Sequence, residues 1–171
     1  MLDTNLSGKR AVLTGASLGI GAAAVRALAD QGAHVSFCSR SSDNVAAMAG
    51  YRPPSGEGRV CGFTADMADR RSVEQFIDAA QAEGPVDILV NNVGASPSRN
   101  FLYMSDEDWL SLIELNLMSA VRCTRRLLPA MRERKWGRIV MVASGAIPAA
   151  RRNVAPSAPS GMKFTRGAKS G

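Results

Sequence analysis

The chain has 171 residues, 46% of them hydrophobic, which is enough to bury one domain's core and excludes a disordered or fibrous chain. Its net charge of +6 is unevenly spread: residues 1–150 carry 16 Lys and Arg against 15 Asp and Glu, while residues 151–171 carry five basic residues and no acid. The excess lies in that short end segment, with no aromatic stacking platform beside it, so the reading excludes nucleic acid as the partner. No apolar run is long enough to span a membrane, and the first ten residues lack the apolar stretch of a signal peptide. Three widely spaced cysteines, Cys38, Cys61 and Cys123, show no metal or redox spacing, and with no leader they read as reduced thiols of a cytoplasmic protein.

In chain order, Arg10–Thr14 is a short apolar run ending in a glycine-rich turn, and it predicts a buried first strand. A helix follows from Ile20, with Ile20, Ala24, Ala27 and Leu28 expected on its core face and Gly32 ending it. Ala33–Ser39 reads as the second strand, Asp43–Ala49 as a weak helix, and Arg59–Thr64 as the third strand. Asp69 has the character of a cap for a helix reaching about Glu83, and Asp87–Asn91 reads as the fourth strand. Trp109, Leu112, Ile113, Leu117, Ala120, Val121, Leu127, Leu128 and Met131 recur at three-and-four spacing, which predicts one long amphipathic helix. Arg122, Arg125, Arg126, Arg132, Arg134 and Lys135 read as its solvated face. Gly137 precedes a fifth strand, Arg138–Ala143.

Strands alternating with helices imply right-handed crossovers and an α/β, Rossmann-type doubly wound parallel sheet, here of about five strands in the order 3-2-1-4-5. The expected organisation is a nucleotide-binding domain over residues 1–146, then an irregular tail, 147–171, rich in Pro, Ser, Gly and Arg.

Thr14-Gly-Ala-Ser-Leu-Gly-Ile-Gly21 lies between the first strand and its helix, the context in which a glycine motif is informative. Gly15 allows the tight turn, Gly19 lets backbone approach a pyrophosphate, and Gly21 permits close helix packing. The expected cofactor-binding turn comprises Gly15, Ser17, Leu18, Gly19, Ile20 and Gly21, with helix N–H groups facing the phosphates.

Taken in order, T-G-x-x-x-G-I-G, the Asn91-Asn-Val-Gly94 that follows the fourth strand, Asn116 in the long helix and Ser144 after the fifth strand resemble the short-chain dehydrogenase/reductase family. The likeness covers about residues 5–146 and is nearest in character to bacterial oxoacyl-carrier-protein reductases and generic reductases of that family. It implies a dinucleotide cofactor and a small carbonyl or alcohol substrate. At the end of the second strand, where an acid would accept from a ribose 2′-hydroxyl, this chain has Cys38-Ser39-Arg40. Arg40, helped by Ser39, can fork onto a 2′-phosphate, so NADP(H) is the preferred cofactor, with NAD(H) possible. Leu18 adds no second cation where many NADP-using relatives carry one.

By the same resemblance Asp66 would bind the adenine amino group and Met67 offer its backbone, although Asp66 reads equally as a turn aspartate. Asn92, Val93 and Gly94 fall at the topological switch point, where bare backbone can pack against ribose, and Asn91 would tie neighbouring strands. Ser144 matches the family's carbonyl-polarising Ser, and Asn116, expected buried within the apolar stripe, its relay Asn.

The family's Tyr and Lys are absent from their window, where Pro156 and Ser160 stand, and the only tyrosines are Tyr51 and Tyr103. Tyr51 falls in a remote loop, and Tyr103 is either a pocket-wall residue or a surrogate acid. Lys163 has no Tyr to tune. His34 reads as a surface residue and Cys123 as packing. Family members continue into further strands and associate through the long helix, so a homo-oligomer through that helix is doubtful here. Two histories fit the abrupt loss of pattern: a reading-frame shift between about Ser144 and Arg151, or in-frame divergence, which the faint motif at Pro156–Met162 favours. The expected function is accordingly that of an NADP(H)-dependent oxidoreductase impaired in turnover, or of a nucleotide-binding remnant without catalysis.

Overall fold

A computed structural model describes residues 5–54, 56–97 and 101–143. Ser144 and the expected tail, 147–171, lie outside them. Five parallel strands, β1 (Arg10–Leu13), β2 (His34–Ser39), β3 (Arg59–Thr64), β4 (Ile88–Asn91) and β5 (Arg138–Met141), form one sheet in the order β3-β2-β1-β4-β5. Successive side chains of a strand point to opposite faces, so each strand feeds two cores. Ala11 and Leu13 of β1, Val35 and Phe37 of β2, and Ile88 and Val90 of β4 pack one face. Against them lie α1 (Gly19–Asp30) through Val25 and Ala29, and α2 (Ser42–Ala49) through Val45 and Met48. Val12, Cys38 and Leu89 point the other way, against α3 (Arg70–Gln81) through Val73, Phe76 and Ile77. Cys123, Leu127 and Met131 of α5 (Ser119–Glu133) complete that second core.

Local chemistry accounts for the helix starts. The Asp69 carboxylate accepts from Ser72 N at 2.7 Å, and the Ser41 hydroxyl accepts from Asn44 N at 3.3 Å. At α4 (Asp106–Ile113), Ser105 and Asp108 cap each other reciprocally.

Three expectations need correction. The first is the core face of α1. Its buried residues are Gly21, Ala22, Val25 and Ala29; of those expected, Ala24 and Leu28 pack partly buried against the same core, whereas Ala27 is exposed and Ile20 is 72% exposed. Close seating of the glycine-rich first turn rotates the small residues inward and leaves Ile20 outside. The second concerns the long helix, which is two α-helical stretches joined by a π-helical turn, Glu114–Met118. A π turn advances the chain by a wider step and shifts the angular phase of everything before it. Ala120, Cys123, Leu127 and Met131 therefore face the core, while Trp109, Ile113 and Leu117 stand partly exposed and Leu115 packs inward instead. Third, part of the arginine row is anchored. Arg122 Nη2 meets Glu114 Oε2 at 2.6 Å, Arg126 pairs with Asp78, and Arg134 Nη2 donates to Val86 O at 2.7 Å. Among the described residues no helix is long and apolar enough to cross a membrane.

Candidate nucleotide-binding site

The chain leaves β1 toward β2 and β3 on one side, and β4 and β5 add on the other, so the carboxyl ends of β1 and β4 open a crevice at the switch point. A cleft of about 500 Å³ occupies it. Its floor is the turn after β1, held from both neighbouring strands: Thr14 N donates to Val90 O at 3.1 Å and Ala16 N to Cys38 O at 3.0 Å. Gly15 has φ +63°, and a Cβ on it would lie 2.8 Å from Val93 Cα. At Gly21 a Cβ would meet Asn92 Nδ2 at 2.6 Å and Ala16 Cα at 2.7 Å. Gly19, at φ +56°, has nothing within 4 Å of its Cβ position, so its backbone faces open space. No side chain caps α1 and no acid lies in its first turn, which leaves the positive end of the helix facing the cleft.

One side of the cleft comes from the end of β2. Ser17 Oγ donates to Ser39 Oγ at 2.8 Å, tying the turn to β2 beside exposed Arg40. Arg40 makes no ion pair or hydrogen bond with the described residues, and it lines the cleft with Leu18, Ile20, Ser41 and Asn44. Among the described residues no carboxylate lines this cleft.

Asn92, Val93 and Gly94 form the opposite wall, and the geometry gives Asn92 a further task. Its Nδ2 donates to Gly15 O at 2.8 Å and Thr14 O at 3.1 Å, clamping the turn. Buried Thr14 completes the clamp: its Oγ1 accepts from Asn92 N at 3.0 Å and from Val93 N at 3.1 Å. Asn91 Nδ2 lies 3.1 Å from Met141 Sδ and 3.5 Å from Thr124 Oγ1, in the strand-tying place expected of it.

Asp66 is exposed and its Oδ1 accepts from Ala68 N at 3.0 Å, the geometry of a turn aspartate. The cleft wall there is Ala65 and buried Met67, whose Sδ lies 3.4 Å from Cys38 Sγ. Burial pushes the Cys38 thiol up to about 12 and the Cys123 thiol likewise to about 12, which keeps both protonated.

Asn116 lies in the π turn and is exposed, contrary to the burial expected of it. Its Oδ1 accepts from Ala95 N at 2.8 Å and its Nδ2 donates to Ala95 O at 3.0 Å, fixing the loop after β4. Tyr103 sits 75% exposed in a 3₁₀ turn, Phe101–Tyr103. The Tyr51 hydroxyl donates to Asp30 Oδ1 at 2.7 Å, which raises its pKa; this pairing is with the end of α1. Sequence reasoning held Thr14 only as the first letter of the glycine motif, with no role of its own, and missed Ser41, Asn44, Ala65 and Leu115 among the cleft-forming residues. Only Ser41, as a helix cap before Asn44, left a readable signal.

The comparisons with known proteins agree with this geometry. The family model for short chain dehydrogenases matches residues 9–157. The chain is 38% identical over 141 residues to the 3-oxoacyl-[acyl-carrier-protein] reductase of Escherichia coli, covering 82% of this chain and 56% of that protein. It is 37% identical over 161 residues to the D-beta-hydroxybutyrate dehydrogenase of Cupriavidus necator, covering 92% and 62% respectively. Among solved structures, the L-sorbose reductase of Gluconobacter frateurii, complexed with NADPH and L-sorbose, superposes with a TM-score of 0.79 at 35% identity, over 87% of this chain and 57% of that one. A 3-oxoacyl-[acyl-carrier protein] reductase of Brucella melitensis with bound NAD gives 0.74 at 28% identity, over 82% and 55%. The chain thus spans little more than half the length of these relatives. With the sheet order, the glycine turn and the Asn clamp in place, it belongs to the short-chain dehydrogenase family.

Proposed function

We propose that the cleft binds a nicotinamide dinucleotide, NADP(H) in preference to NAD(H), and that turnover of a carbonyl or alcohol substrate by this chain is strongly impaired. The observation that carries the reading is Arg40 at the cleft edge, without a partner among the described residues and with no carboxylate in the lining. The residues fit the group. A pyrophosphate needs bare backbone and unsatisfied N–H groups, and Gly19 and the uncapped start of α1 offer both. Gly15 and Gly21 are places where a side chain would push the clamp apart. Arg40 holds a 2′-phosphate through its guanidinium, with Ser39, Ser41 and Asn44 nearby as polar neighbours. Asn92, Val93 and Gly94 border ribose, and Met67 the adenine side. When bound, such a cofactor supplies hydride transfer.

The chain's own part in that chemistry is reduced. Asn116 and Ser144 remain from the family's set, with Asn116 holding the loop after β4 and Ser144 offering a hydroxyl to a carbonyl oxygen. In the window after Ser144 where the family carries Tyr-x-x-x-Lys, Pro156 and Ser160 stand instead, so a proton donor tuned by a neighbouring ammonium is missing from its place. That observation also favours a second reading, a nucleotide-binding protein without catalysis. Calorimetric titration tests the first: NADPH binds more tightly than NADH, and Arg40→Ala narrows the difference by about 1.5–3 kcal/mol, the scale of a charged hydrogen bond. Equal affinities in the unmodified chain would remove Arg40 from the site.

A further inference from the structure

A second cavity of about 370 Å³ lies away from the glycine turn, between α3 and α5. Its apolar lining is Val73, Ile77 and Met118, and its charged lining is Arg70, Arg122, Arg125 and Arg126 with Glu74. Three of the guanidiniums are matched: Arg70 Nε to Glu74 Oε1 at 2.9 Å, Arg122 Nη2 to Glu114 Oε2 at 2.6 Å, and Arg126 to Asp78. Arg125 is exposed and has no ion pair or hydrogen bond among the described residues, so the cluster keeps one positive charge in excess. Arg122, with a side chain 17% exposed, also has its Nη1 shut from water without an acceptor. Arg70, Arg125 and Arg126 are exposed, but Arg122 is not: a solvated helix arginine would not leave a buried donor stranded, because each missing bond to such a donor is costly.

We propose that this cavity is a binding site for a small organic anion, a phosphate or carboxylate head on a short apolar body, separate from the nucleotide cleft. Arg125 supplies the uncommitted charge at the rim. A small turn of the Arg122 guanidinium, with Nη2 kept on Glu114, brings Nη1 to the head group and gives it the acceptor it lacks. Met118 and the aliphatic stems of the arginines cover the apolar body, with the buried Val73 and Ile77 behind them, which favours an organic anion over an inorganic one.

The test is a titration of the full chain with hexyl phosphate, and separately with inorganic phosphate, followed by backbone amide NMR in the presence of saturating NADPH. Hexyl phosphate should bind saturably and shift the amides of Arg70–Glu74 and Met118–Arg126, with inorganic phosphate weaker. Arg125→Gln, on an exposed side chain that holds nothing else in place, should weaken hexyl phosphate about tenfold or more, the loss of one charged contact. Arg122→Gln should do the same, and Arg125→Gln decides the matter if that variant does not fold. No saturable binding, shifts confined to the nucleotide cleft, equal affinity for the two probes, or an Arg125→Gln variant that binds unchanged would each overturn the proposal.

Discussion

Replacing Thr14 by Val changes almost nothing in shape and removes one oxygen that serves two donors. Thr14 Oγ1 accepts from Asn92 N and Val93 N, at 3.0 and 3.1 Å, in a residue only 1% exposed. Valine leaves both amides without that acceptor. A buried donor left unpaired costs about 1–3 kcal/mol. Asn92 and Val93 are half-buried, so water recovers some of that, and the expected loss is about 2–4 kcal/mol for the pair. Thr14→Ser is the control, since it keeps the oxygen and gives up one methyl, worth about 1 kcal/mol. Urea unfolding monitored by the fluorescence of Trp136, which packs against the first core, would read both variants. Because the same amides position one wall of the cleft, Thr14→Val should also weaken NADPH more than Thr14→Ser does. If the Val and Ser variants agree in stability within about 0.5 kcal/mol, the hydroxyl is not the clamp described.

Gly21→Ala should destabilise by about 1–3 kcal/mol through overpacking against Ala16 and Asn92, although alanine's helix propensity alone would favour it; a gain in urea midpoint would refute the packing. Cys38 and Cys123 should resist a thiol reagent at pH 8 in the folded chain and react once it unfolds. Their folded pKa of about 12 exceeds the ordinary 9.0, so the stability they contribute is intact below pH 9 and falls as pH rises from 9 toward 12. Unfolding midpoints that stay flat across that alkaline range would contradict this. NADPH oxidation with ketones or 3-oxoacyl thioesters should run well below the usual enzymatic rate of about 1 s⁻¹, given the factor of about 10²–10⁴ that acid–base catalysis supplies. A Ser144-dependent rate at or above that level would show that another group donates the proton.

The sheet order and the glycine turn were legible because they rest on short-range rules: apolar runs of strand length, glycines at fixed offsets, and crossovers of one hand. Gly15 and Gly21 could be read from sequence because their roles require the absence of a side chain. Thr14 could not, since its importance lies in accepting from residues 78 and 79 positions away. The same holds for Asn92, whose place at the cleft was readable while its bonds back to Gly15 and Thr14 were not. Periodicity failed where geometry departed from 3.6 residues per turn. The π turn over Glu114–Met118 put Leu115 inward and Ile113 and Leu117 outward, and it left Asn116 exposed but bonded to Ala95. Ile20 misled for a related reason, because tight packing of small residues at the start of α1 turns the larger one to solvent.

Amide hydrogen exchange with and without NADPH tests the central claim most directly, because it reports where the nucleotide lies as well as whether it binds. The account predicts protection at two separated segments, Gly15–Ala22 at the turn and start of α1 and Asn92–Ala95 after β4, which line one cleft only in the folded chain. Protection should be weaker with NADH at equal concentration. Protection confined to the α3–α5 surface, or none at either segment at saturating NADPH, would contradict it.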